Sequence, residues 1–95
     1  METVTTGTHL SLTLHGRDDV TGGSAVLQYR KPGATADAEL SVTVLDAAQA
    51  SCLAEITSAI HDAPGIWKTW LKTINALGQE GFGKVYRFRS MRPGS

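Results

Sequence analysis

A chain of 95 residues and 10.1 kDa has room for one domain with one core and hides about two-thirds of the surface its unfolded form exposes, which excludes large cofactor-binding architectures. Nine Lys plus Arg balance nine Asp plus Glu, and 41% apolar with 19% charged residues is far from the composition of disordered chains. There is no apolar run near the roughly 20 residues of a membrane helix, no signal-peptide character in Met1-Glu2-Thr3-Val4, and a single Cys52 that can neither close a bridge within the chain nor supply zinc-ligand spacing, so a cytoplasmic protein is expected.

The first half has the period-two alternation that puts successive side chains on opposite faces of a sheet. Leu10, Leu12 and Leu14 alternate with His9, Ser11, Thr13 and His15. The turn-forming stretch Gly16 to Gly23 follows, then Ala25, Leu27 and Tyr29 alternate with Val26, Gln28 and Arg30, so the two strands are expected to form a hairpin. Pro32 and Gly33 end the second strand, and Leu40, Val42 and Val44 mark a third.

Asp46 with Gln49 three residues on has the form of a helix N-cap with its reciprocal partner, predicting a helix that buries Leu53, Ile56 and Ile60. Pro64 suits the first turn of a second helix. There Ile66, Trp67, Trp70, Leu71, Ile74 and Leu77 share an arc of about 140° opposite Lys68, Lys72 and Asn75, with Gly78 as the stop. Both Trp residues then belong to the core, Trp67 being the more exposed. Tyr86 and Phe88 alternate with Val85, Arg87 and Arg89 in a last strand. The expected fold is α+β, a four-stranded antiparallel sheet with two helices packed on one face in the order β-β-β-α-α-β. It occupies residues 1–90 as a single domain, and residues 91–95 form a flexible tail.

No motif carries catalysis or a cofactor. His9 and His15 lie about 20 Å apart along one strand, too far for one coordination sphere, and no metal site is expected. His61 suits a helix C-terminus as a cation. Cys52 and His61, nine residues apart on the expected helix, cannot meet as nucleophile and base, and Cys52 reads as a small buried side chain. The glycine-rich Gly78 to Gly83 leaves a helix end where a phosphate loop would enter one, so it reads as a turn. Without a nucleophile triad or paired carboxylates, a non-enzymatic protein without a cofactor is expected.

Charge divides the chain. Residues 1–63 carry three bases and eight acids, residues 64–95 six bases and one acid, and five of the six aromatics fall in the basic third. Parity assigns Tyr86 and Phe88 to the core, because the alternative buries two unpaired guanidinium groups at a cost of several kcal/mol. Arg87 and Arg89 then share an open polar sheet face with Arg30, Gln28 and His9. These five are the candidate partner-binding residues of a small protein that acts by stoichiometric association with an acidic protein partner, as adaptors do and as inhibitors carried by phages and mobile elements do. The alternatives are a nucleic-acid binder that contacts phosphates through Lys68, Lys72, Lys84 and Arg92, which zero net charge disfavours, and a homodimer or larger homo-oligomer joined at open sheet edges.

Overall fold

The computed structural model describes residues 2–16 and 19–94. The readings made above on Met1, Arg17, Asp18 and Ser95 lie outside the described residues. The chain between is all-β. Its strands are β1 Glu2–Thr5, β2 Leu10–His15, β3 Ser24–Arg30, β4 Ala38–Ser41, β5 Thr43–Asp46, β6 Ser51–Ile56, β7 Gly65–Ile74, β8 Glu80–Phe82 and β9 Tyr86–Met91. The larger sheet has the order β1-β9-β7-β3-β4, with β8 also paired to β7, and the smaller has the order β2-β6-β5. β1 runs parallel to β9, and the other pairings are antiparallel.

The expected α+β fold is overturned: no helix occurs among the described residues, and so none is long and apolar enough to cross a membrane. The segment expected as the first helix is a turn followed by β6, in which Cys52, Ala54 and Ile56 alternate inward at 0% exposure. The segment expected as the second is β7, the ten-residue strand through the middle of the larger sheet. There the apolar set that mimicked one helical arc belongs to two faces: Trp67 and Leu71 point inward with Thr69 and Thr73, while Ile66, Trp70 and Ile74 point outward. Trp67 is accordingly 0% exposed and Trp70 half-buried, the reverse of the expected order.

Two strand expectations also change. β2 and β3 do not form a hairpin, since β2 pairs with β6 and β3 with β7 and β4. The third expected strand breaks at Val42 into β4 on the larger sheet and β5 on the smaller.

The two inner faces meet in one core, with Leu27, Tyr29, Trp67, Leu71 and Phe88 from the larger sheet against Cys52, Ala54 and Ile56 from the smaller. Each large side chain so buried stabilises the fold by roughly 1.5–3 kcal/mol. The Trp67 ring lies between Tyr29, at 6.0 Å, and Phe88, at 5.7 Å, both stacked. Its indole N–H donates to the Ala63 carbonyl at 2.9 Å. Thr69 and Thr73, inward on the same strand, direct their hydroxyls to the carbonyls of Tyr86 and Gly81 and so bury no unsatisfied group. Gly23 is fixed by close approach, because a Cβ there would stand 1.8 Å from the Ile74 carbonyl oxygen.

Candidate binding face

Parity along β9 holds: Phe88 is 1% exposed, Tyr86 half-buried, and Arg87 and Arg89 face water. What lies beneath the rings is a second sheet rather than helices. On the outer face of the larger sheet the ladder sets Arg30 opposite Lys68, and Lys68 opposite Arg87. Three cations thus stand in one lateral row on three adjacent strands, spanning about 10 Å. One row on, Gln28 faces Trp70; at the other end Ile66 faces Arg89.

Not all of this charge is free. Arg30 is bound to Asp37 at 2.7 Å and Lys72 lies 3.5 Å from Glu80, whereas Lys68, Arg87 and Arg89 have no ion-pair partner among the described residues. Gln28 uses both ends of its amide, accepting from the Trp70 indole N–H at 2.8 Å and donating to Glu39 at 3.1 Å. It holds the Trp70 indole beside the row of cations. Beside Arg89 a depression of about 480 Å³ is lined by Pro64, Gly65, Ile66, Ser90, Met91 and Arg92.

The structure therefore brings together Gln28, Arg30, Arg87 and Arg89 of the expected partner face with Lys68 and Lys72 of the expected phosphate contacts. Arg92 joins them at the Arg89 end, in the wall of the same depression. His9 stands apart, beside Glu55 of the smaller sheet at 3.7 Å. Lys84 also stands apart, beside the end of β2. Trp70 was missed as a surface residue; reading residues 65–74 at period two finds it.

The buried polar groups are structural. His61, expected as a cation at a helix C-terminus, lies in no helix and is 0% exposed. Its Nδ1 lies 2.9 Å from the Thr8 carbonyl, which can only accept, so Nδ1 carries a proton, and Nε2 lies 2.6 Å from Ser90 Oγ. Ser90 Oγ also shares a hydrogen bond with the Thr6 hydroxyl, tying the chain after β1 to β9. This Ser–His pair has the contact that a nucleophile needs, but at 1% and 0% exposure it meets no substrate from solvent. Cys52 is buried, as expected, and burial pushes its thiol up from its ordinary value. No group of three His, Cys, Asp or Glu side chains able to hold a metal occurs among the described residues. Gly78 lies in the turn from β7 to β8, with a positive φ of 80°. Comparison with family models, with curated proteins and with solved structures finds no match to this chain.

Proposed function

We propose that this protein is a non-enzymatic binding module that associates stoichiometrically with a protein partner through an acidic surface of that partner, using the outer face of the larger sheet. The observation that carries the reading is the row Arg30, Lys68 and Arg87, set side by side by the strand register, with Trp70 adjoining and Arg89 completing the basic end. Like charges placed opposite each other on neighbouring strands cost stability, an expense that a bound anionic surface offsets. Arg and Trp are also the side chains that most often dominate association energies, because each brings a large apolar body with directed polar contacts.

The test is capture of partners by tagged protein from host lysate treated with nuclease, compared with an Arg87→Glu, Arg89→Glu variant that retains its unfolding transition. Loss of the captured protein in the variant supports the reading; equal capture removes this face from it.

Trp70 between Lys68 and Lys72 on one open strand face gives a second reading some support, since an aromatic ring flanked by cations also suits stacking with an unpaired base. Fluorescence anisotropy with a labelled single-stranded oligonucleotide decides it. Saturable binding that weakens steeply with salt favours nucleic acid, and no binding at low salt ends that option.

A further inference from the structure

We propose that the free edge of β2, with the groove beside it, is a second binding site, which takes an extended peptide segment of another protein by strand addition. This site is on the smaller sheet and is independent of the basic face.

β2 ends its sheet, with β6 on one side and, among the described residues, no strand on the other. The direction of its backbone groups follows from one hydrogen bond beyond its end: Gly16 N–H donates to the Ala50 carbonyl at 2.8 Å, which continues the β2–β6 register. In an antiparallel ladder, pairs that exchange hydrogen bonds alternate with pairs that do not. Leu10, Leu12 and Leu14 share the parity of Gly16 and bond to β6. Ser11, Thr13 and His15 therefore aim their N–H and C=O groups away from β6; those of Ser11 and Thr13 face the open side, while the His15 carbonyl lies against Gly83.

That side is a groove with two connected hollows of about 240 and 340 Å³, which share Thr13, Leu14 and Tyr86. Leu12, Leu14 and Val85 add apolar surface, Val85 being 39% exposed. Polar backbone along one wall with apolar side chains beneath is what strand addition uses, hydrogen bonds giving affinity and alternate side chains giving selection.

The edges of β5, β1 and β4 are guarded. β5 is interrupted by an irregularity between Val44 and Asp46, while β1 and β4 are four residues long and carry Glu2 and Glu39. β2 runs six residues, Leu10-Ser11-Leu12-Thr13-Leu14-His15, without Lys, Asp, Glu, Pro or a bulge. Proteins that stay single usually blunt such an edge, and one left open calls for an occupant.

Charge gives the occupant its direction. Lys84 stands at the His15 end of the groove, with no ion-pair partner among the described residues, and Glu2 lies in the other hollow. A segment lying antiparallel to β2 places its N-terminal end beside Lys84. The ligand is thus extended, apolar at alternate positions, acidic at its N-terminal end and basic at its C-terminal end.

The probe is the acetylated peptide Asp-Val-Thr-Val-Thr-Lys with a C-terminal fluorophore, titrated by anisotropy against the full chain. The expected result is saturable one-to-one binding, weakened several-fold when Asp and Lys exchange places. Thr13→Pro removes an outward N–H and leaves every β2–β6 bond in place, so it should weaken binding about tenfold, the equivalent of one hydrogen bond, at unchanged stability. Val85→Glu, at an exposed position, should weaken it likewise by repelling the Asp end, which keeps the test valid if the proline variant does not fold. No saturable binding up to about 1 mM, or equal binding by the folded variants, overturns the proposal. So does concentration-dependent dimerisation that Thr13→Pro abolishes, since the occupant would then be a second copy.

Discussion

Ser90 Oγ lies 2.6 Å from His61 Nε2 at a place where both side chains are shut away from water. In Ser90→Ala the imidazole nitrogen and the Thr6 hydroxyl lose their shared partner, which costs about 1–3 kcal/mol, the penalty of leaving buried polar groups unpaired. Urea unfolding followed by Trp fluorescence measures this. An unchanged midpoint would mean that the network does not hold the N-terminal strand to β9.

Phe88 packs against one face of Trp67 at 5.7 Å and is 1% exposed, with the His61 ring set perpendicular to it at 6.0 Å. Phe88→Ala should cost about 3–5 kcal/mol through lost transfer energy and the cavity it leaves. That is a large part of the ~5–15 kcal/mol of a typical domain, so the variant is expected to melt far below the parent or not to fold. Circular dichroism melting reports the difference.

The cationic row makes stability and association move in opposite directions. Lys68→Gln relieves repulsion with its cross-strand neighbours Arg30 and Arg87 and should raise stability by about 0.2–1 kcal/mol. The same change should weaken capture of the acidic partner. A variant that loses stability and capture together would contradict the account of the row.

The Tyr86 hydroxyl donates to Glu2, and that bond, with burial and the nearby carboxylate charge, pushes its pKa up to about 12 from 10.0. A raised folded value means that the contribution to stability is complete below pH 10 and is lost as pH rises toward 12. Phenolate absorbance should therefore show Tyr86 titrating late. Glu2→Gln should bring that titration down and flatten the alkaline loss of stability.

At the acid end the Lys31 ammonium, bonded at 2.8 Å, holds the Asp62 carboxyl below its ordinary 3.8. A depressed folded value means that the contribution is present above pH 3.8 and disappears as pH falls through the folded value. The melting difference between the parent and Asp62→Asn should be small at neutral pH, as for any exposed pair, and absent in strong acid.

Parity was legible wherever one face of a strand is apolar and the other polar. It placed Leu27, Tyr29 and Phe88 inside and Arg30, Arg87 and Arg89 outside. It failed on β7 because that strand crosses the middle of a sheet whose outer face is also partly apolar. Ile66, Trp70 and Ile74 from one face and Trp67 and Leu71 from the other interleave at spacings of three and four. The signal against a helix was the crowding of β-branched and aromatic residues, Ile66, Thr69, Thr73 and Ile74 with two Trp, which favour extended chain. On β6 the cap pattern of Asp46 and Gln49 and the spacing of Leu53, Ile56 and Ile60 suggested a helix, yet Cys52, Ala54 and Ile56 also fit period two, and packing against the other sheet decided between the patterns. The lateral row of cations was not legible, because register between β3, β7 and β9 is set by pairing across distant parts of the chain. His61 was misplaced for the same reason, its partners Thr8 and Ser90 being remote in sequence.

The parallel union of β1 with β9, sealed by Thr6 and Ser90 across 84 positions of sequence, governs the order in which the molecule assembles. Closing so long a loop is entropically slow to be repaid, whereas β7 can meet β8 and β9 soon after they are made. The N-terminal strand should thus dock last during refolding and let go first under stress, with faster amide exchange in β1 than in β7 as the sign of it.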